Sequence, residues 1–212
     1  MAKLNISWER GALTEAGSQE QSIHEFLGLD KSRPVLLFME SADPEQANTQ
    51  KKINGLVFKD ERVQIGTRFF TAVKLPWSRA DERIAKLVGN KQLPTLAVFS
   101  LEGKRVGAIQ SKHSPSKLFG LMKRAVKKDY SGTSLDAVVK KEQKILTEID
   151  KTDSERKTLA LAGGSTKVTT SATRESEKKR ELLAKREAKL LQSESELWKT
   201  IYTKVDKGEK AL

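Results

Sequence analysis

The sequence of 212 residues contains no cysteine. It therefore cannot form a disulfide, bind a metal through thiolates or attack a substrate with sulfur. Histidine is almost as scarce, and its two copies, His24 and His113, have no companion at a ligand spacing. No apolar run approaches the length of about 18 residues that a membrane span needs, and residues 1–8 lack the apolar core of a signal peptide. We therefore expect a cytoplasmic protein with no cofactor and no membrane span.

Aromatic residues are also few, at 6% of the chain, whereas charged residues make up 32%. Because hydrophobic residues account for 37%, we expect part of the chain not to build a core. The formal net charge is +12, and Lys and Arg outnumber Asp and Glu by 22 to 14 in residues 1–130 and by 18 to 14 in residues 131–212. This charge favours anionic partners. The scarcity of aromatic residues near the basic clusters gives little support to base stacking, so nucleic acid is possible but not favoured.

Residues 1–130 alternate between strand-like and helix-like segments, which predicts an α/β domain. The predicted strands are short apolar runs at Pro34–Met39, Phe69–Lys74, Thr95–Ser100 and Arg105–Gln110. The predicted helices are Gln19–Leu27 with His24 on the surface, a helix that begins at Asp43-Pro44 and stops near Gly55, Arg79–Val88 and Ser116–Lys128.

Residues 131–212 form a predicted second domain of two amphipathic helices, at about 135–160 and 173–206. A loop rich in Gly, Ser and Thr joins them, which predicts a long helical hairpin or a coiled-coil arm. Glu187 and Glu194 interrupt the heptad pattern of Leu183, Leu190 and Leu197. Folding of this arm on a partner therefore remains an alternative to a self-sufficient coiled coil.

The stretch from Ile6 to about Lys128 resembles the thioredoxin superfamily. The resemblance rests on five segments in the family's order, namely Ile6-Ser7-Trp8-Glu9, Arg33-Pro34-Val35-Leu36-Leu37-Phe38, Val57-Phe58-Lys59-Asp60, Phe69–Lys74 and Leu93-Pro94-Thr95-Leu96-Ala97-Val98-Phe99. It implies a thioredoxin-like central sheet flanked by helices, with a cis peptide bond between Leu93 and Pro94. Because the Cys-x-x-Cys motif is missing, it also implies a redox-inactive domain.

In this family the redox motif lies at the start of the helix beside the cis-proline loop. The equivalent place here is near Ala47–Gln50, with Ala42-Asp43 as an alternative, and neither supplies a nucleophile. The resemblance also implies a peptide groove in which backbone atoms pair with an extended chain. Its candidate residues are Gln92, Leu93, Pro94 and Thr95, with residues 41–50 on the facing wall.

Three further features are candidate contacts. Trp77 follows Pro76 in a predicted loop, where it is either a recognition anchor or a buried side chain. Trp198 and Tyr202 lie four residues apart on one helical face, which suits the core of a hairpin or a partner contact. A basic cluster on the last helix of the first domain is a candidate anion patch and comprises Lys123, Arg124, Lys127 and Lys128.

These features favour a non-catalytic protein-binding adaptor or scaffold over an enzyme. The thioredoxin-like domain would recognise a protein, and the helical arm would mediate assembly into a homo- or hetero-oligomer. Two alternatives remain open. One is a basic RNA- or ribosome-associated protein, and the other is a chaperone-like peptide binder.

Overall fold

The apolar segments of the first 110 residues pair into one sheet in the computed structural model of the chain, which describes residues 4–10, 22–76, 86, 88–89, 93–130, 132–162 and 170–208. The strands are β1 (Trp8–Arg10), β2 (Val35–Glu40), β3 (Thr71–Pro76), β4 (Thr95–Phe99) and β5 (Arg105–Ile109). Their order across the sheet is β1-β3-β2-β4-β5. The strands β1, β3 and β2 run parallel, while β4 and β5 are antiparallel to their neighbours. The thioredoxin-like sheet expected from the sequence is confirmed.

Strand β2 lies at the centre because both of its faces are apolar, and its first five residues are buried. Val35, Leu37 and Met39 point to one face and join a cluster with helix α1 (Ile23–Leu27). The other buried members of this cluster are Ile23, Phe26, Leu27, Val73, Leu75, Val88, Ala97 and Phe99.

Helix α1 corrects the placement of His24, which the sequence predicts on the surface. The helix begins after Ser22, whose side chain forms a reciprocal capping box with Glu25. This start turns His24 inward, where it is 0% exposed and its Nε2 donates to the carbonyl of Arg33 at 2.9 Å. His24 is therefore a core residue that ties the helix to the chain before β2.

The helix after β2 begins as predicted and ends later than predicted. Asp43 caps it, and Pro44 is its first residue in a 3₁₀ turn, Pro44–Gln46, which leads into helix α2 (Ala47–Lys52). The prediction that the helix stops near Gly55 is wrong, because a π-helical turn, Ile53–Val57, carries it through that glycine. Burial of both Ile53 and Val57 favours this continuation.

Two more helices complete the first unit. Helix α3 (Glu61–Thr67), which the sequence analysis did not predict, is capped by Asp60. Helix α4 (Pro115–Asp129) begins after Ser114, whose Oγ accepts a hydrogen bond from the amide of Lys117 at 3.3 Å. The apolar stripe of α4 is buried and consists of Leu118, Phe119, Leu121, Met122, Ala125 and Val126. The predicted helix Arg79–Val88 lies mostly outside the described residues.

The chain divides into two compact units, of which Leu4–Val139 form the first, and the described residues from Lys140 onward belong to the second. Two long helices, α5 (Leu135–Ala162) and α6 (Thr170–Gly208), follow the sheet. Whether residues 1–130 and 131–212 fold as separate domains stays a prediction. No helix in the described part of the chain is long and apolar enough to cross a membrane.

Ion pairs join α5 to α6 within the second unit. Arg186 binds Glu148, and Arg156 binds Glu187. Glu148 lies 14 residues before the end of α5 and Arg186 lies 16 residues after the start of α6. At a rise of about 1.5 Å per residue, both are about 21–24 Å from the connection. The two ion pairs hold α5 against α6, as the predicted hairpin requires.

Candidate functional site

The loop before β4 lies at the carboxyl edge of the three parallel strands. In the sheet register Met39 of β2 pairs with Thr95 of β4. The next positions, Glu40 and Pro94, therefore lie side by side at this edge. The peptide bond between Leu93 and Pro94 is cis, as the resemblance implies.

The candidate groove residues differ in how much side chain they present. Leu93 is half-buried and packs against the core cluster that contains Met39. Pro94 and Thr95 are buried, and Gln92 lies outside the described residues. Among the three described residues, only Leu93 thus presents an accessible side chain at this edge.

The start of the helix beside this loop contains no nucleophile. Asp43 accepts a hydrogen bond from the amide of Glu45 at 2.9 Å and so caps the helix with its own side chain. The helix begins at Pro44, so of the two places that the sequence analysis considered, Ala42-Asp43 lies at the helix start and Ala47–Gln50 lies within the helix. The residues at the helix start are Asp43, Pro44, Glu45 and Gln46, and none of them has the chemistry of a thiolate.

A lysine among aromatic rings lies at the ends of the same strands. The ammonium of Lys74 is 3.8 Å from the carboxylate of Glu40 and 4.9 Å from the ring centroid of Trp8. The ring of Trp8 in turn contacts Phe58 edge-on, with centroids 4.8 Å apart. Ion pairing and cation–π contact hold this cation in place, so its arrangement is structural.

His113 fixes the loop from the other side, and no sequence pattern indicated this role. Its Nε2 donates to the carbonyl of Pro94 at 3.0 Å. Burial lowers the pKa of His113, and hydrogen bonds to the backbone of Pro94 and Ile109 only partly oppose this. His113 therefore connects the loop before β4 to the end of β5 and favours the neutral ring.

Two of the four cations in the predicted anion patch on α4 form ion pairs within the fold. Lys123 binds Asp136 at 2.5 Å, and Lys128 binds Glu102 at 3.2 Å. Arg124 and Lys127 are exposed and form no ion pair with a described residue. The patch is therefore not a set of four free cations.

An open groove of about 560 Å³ runs between β5 and α4. The strand side and the helix side contribute Ala108, Ile109, Gln110, Ser111, Ser116, Lys117, Gly120, Leu121 and Arg124. Sequence reasoning found Arg124 and missed the rest. The available signal was the spacing of Lys117, Gly120 and Arg124 along one side of a predicted helix.

The aromatic candidates lie apart from this groove in sequence. Trp77 lies outside the described residues. Trp198 is buried, with 7% of its surface exposed, and its ring centroid is 6.0 Å from that of the half-buried Tyr202. The described residues contain no group of three or more histidines and carboxylates that could hold a metal ion.

Three solved structures are among those similar to part of this chain. A thioredoxin from Thermus thermophilus is 18% identical, with a TM-score of 0.38, over 48% of this chain and 80% of that one. A malarial protein is 15% identical, with a TM-score of 0.33, over 44% and 98%. A DsbH oxidoreductase is 16% identical, with a TM-score of 0.37, over 58% and 85%. No protein-family model and no curated protein matches the sequence. The strand order β1-β3-β2-β4-β5 identifies the fold without these similarities.

Proposed function

We propose that this chain is a non-catalytic protein-binding adaptor. The observation that carries the proposal is the chemistry at the start of the helix after β2. A helix N-terminus beside the loop at Pro94 is retained, but Asp43 caps it and no thiol or activated hydroxyl is present there. A scaffold that keeps its architecture without a nucleophile is suited to recognition.

The accessible part of the recognition surface is the edge that contains Leu93. An extended peptide would pair with the backbone of this loop and contact the half-buried Leu93 side chain. The hydrogen bond from His113 to Pro94 supports this interpretation, because it holds the loop without help from the peptide. A loop held in advance has less conformational entropy to lose on binding.

The helical hairpin is the proposed assembly element. Its ion pairs between Glu148 and Arg186 and between Arg156 and Glu187 favour a hairpin over two independent helices. The exposed leucines Leu161, Leu182 and Leu191 offer apolar surface for a partner helix. Light scattering coupled to gel filtration measures whether the full chain self-associates, and a monomer at all concentrations would leave assembly to a different protein.

The test of the recognition surface uses a library of random linear peptides panned against the immobilised full chain. Bound peptides should shift the backbone amide signals of Leu93 and Thr95 in NMR spectra, together with those of residues 41–46. The variant Leu93→Asp should weaken these peptides about tenfold, since it replaces a buried apolar contact with a charge. Leu56→Asp is the matched control, because Leu56 is 66% exposed and makes no predicted contact.

Three outcomes would contradict the proposal. A library that yields no binder would contradict peptide recognition. Equal loss of binding in the two variants would contradict the assignment of the recognition surface to the edge at Leu93. Binding of every unfolded peptide with similar affinity would instead favour the chaperone-like alternative. Circular dichroism and thermal melting of Leu93→Asp separate lost contact from lost folding.

A further inference from the structure

Strand β5 has an unpaired side in the described sheet. It pairs only with β4, because it is the last strand in the order β1-β3-β2-β4-β5. An edge strand points every second backbone N–H and C=O group away from its sheet. These groups form hydrogen bonds with water or with an added strand.

The segment of β5 beside the groove lacks the usual protection of edge strands. From Val106 to Ile109 it contains no charged residue and no proline, and Val106, Gly107 and Ala108 are only half-buried. The register irregularity between β4 and β5 is at Val98 and Phe99, which face the other end of the strand. Pairing at Ala108 and Ile109 is regular, so this end of the edge is suited to another strand.

The charged residues that line the groove beside this edge are all basic. Lys117 and Arg124 are exposed on the helix side, and neither forms an ion pair with a described residue. None of the lining residues is acidic, and none is aromatic. Gly120 lies between the two cations in sequence, and a Cβ built on it would have no atom within 4 Å. The volume of about 560 Å³ lies in the range of ligand sites in proteins.

We propose that this groove binds an acidic peptide segment of a partner protein, which adds to the edge of β5 as an extended strand. The carboxylates of the peptide pair with Lys117 and Arg124 on α4. The proposal goes beyond the adaptor function above, because it assigns a second surface that shares no lining residue with the edge at Leu93.

The spacing of the two cations determines which peptide sequence can pair with both of them. Lys117 and Arg124 are seven residues apart, which is about 10.5 Å along the helix axis. Side chains on one side of an extended peptide recur about every 6.6 Å. Acidic residues at alternate positions therefore cover both cations, with the flexible Lys and Arg side chains taking up the difference. A nucleic acid fits less well, because it would find no aromatic platform and could not use the strand edge.

The test measures binding of a fluorescein-labelled nine-residue peptide of alternating valine and glutamate to the full chain by fluorescence anisotropy. A peptide of alternating valine and lysine is the charge control. The double variant Lys117→Glu/Arg124→Glu should weaken the acidic peptide about tenfold or more at low salt. Each single variant, Lys117→Glu and Arg124→Glu, has Lys127→Glu as its matched control. This control makes the same change of charge at an exposed position of α4 outside the groove, and it should change binding less than twofold.

Strand addition is tested separately from charge. N-methylation of the acidic peptide at its odd or at its even positions removes the amide donors on one side only. One of the two peptides should lose binding, and the other should keep it. In addition, Gly120→Leu should abolish binding by filling the groove. No atom lies within 4 Å of the added Cβ, and circular dichroism checks that the variant folds.

Each contrary result overturns the proposal. The acidic peptide could fail to bind, bind as weakly as the lysine peptide, lose affinity equally in Lys127→Glu, or be insensitive to N-methylation. Tighter binding of a single-stranded RNA of nine nucleotides, lost in the same double variant, would assign the groove to nucleic acid instead. The variant Leu93→Asp should retain the acidic peptide, so failure of this proposal and failure of the adaptor proposal are distinguishable.

Discussion

Replacing Gly120 with alanine should stabilise the Leu4–Val139 unit by about 0.8–1 kcal/mol. Gly120 is the sixth of the 15 residues of α4. In a helix interior glycine is less favourable than alanine by about this amount, because its backbone loses more conformational freedom on folding. The added methyl group has no steric cost, because no atom lies within 4 Å of its position.

Amide hydrogen exchange measures this gain inside the unit itself. The slowest amides of a domain exchange through its global opening, so their rates report its free energy of unfolding. Strands β2 and β4 are the most buried strands and should contain these amides. Because 1.4 kcal/mol corresponds to a factor of ten, exchange in these strands should slow about four- to fivefold.

Gly66→Ala is the matched control. It adds the same methyl group to helix α3, but there the Cβ would lie 2.7 Å from the Cε of Met122, whose side chain is 0% exposed. The end of the flexible Met122 side chain must shift to make room, which offsets part of the gain, so this variant should gain less stability than Gly120→Ala. The reasoning is refuted if Gly120→Ala fails to slow exchange or if both variants behave alike.

Three further predictions concern single contacts. Burial raises the pKa of Asp129 in the folded state above its unfolded value. Folding stability therefore falls as the pH rises from the unfolded pKa to the folded pKa of this group. Asp129→Asn should remove this fall in denaturation midpoints measured from pH 3.5 to 7. Burial lowers the pKa of His113, so folding stability falls as the pH drops below about 6.5. His113→Ala should reduce this loss of stability at acid pH. At pH 8 the same variant should cost about 1 kcal/mol of stability, because it loses the hydrogen bond to Pro94. A double-mutant cycle of Glu148→Ala and Arg186→Ala in urea should give a coupling of about 0.3–1 kcal/mol, because both side chains are about two-fifths exposed; a coupling of zero would contradict the ion pair between α5 and α6.

The strands were predictable because their local pattern agrees with their tertiary environment. The run Pro34–Met39 is short and apolar at successive positions, which is typical of a strand buried on both faces, and β2 occupies Val35–Glu40. The start of α4 was equally clear, because Ser114 and Pro115 carry the chemistry of a helix N-terminus. In these cases the physical cause lies within a few residues of the element.

The errors arose where the cause is a tertiary contact that the local pattern does not contain. Gly55 is a helix stop by local preference, but burial of Ile53 and Val57 carries the helix past it. His24 is a polar residue, yet it lies in the core, where its Nε2 donates to a carbonyl nine residues away. Neither the apolar environment nor the remote carbonyl can be derived from the local pattern.

In the candidate site, too, some features have a local cause in the sequence and others depend on tertiary contacts. The motif around Pro94 placed the loop and its cis bond, whereas the hydrogen bond from His113 depends on a residue 19 positions later. The groove between β5 and α4 needs the strand order as well, since its two walls are an edge strand and a helix that follows it. The sequence shows a basic cluster, but it does not show which of these cations form ion pairs in the fold.

The residues of α4 separate into those that the fold uses and those that it does not. Leu118 and Met122 are 0% exposed in the core, and Lys123 and Lys128 are engaged by Asp136 and Glu102. Lys117, Gly120 and Arg124 have no such role, because the two cations have no described ion-pair partner and the glycine lowers helix stability without relieving any contact. All three border the same groove. A glycine that weakens a helix without a structural return is expected at functional sites. Its position between two cations without a described ion-pair partner, beside one strand edge, is the strongest structural argument for a ligand there.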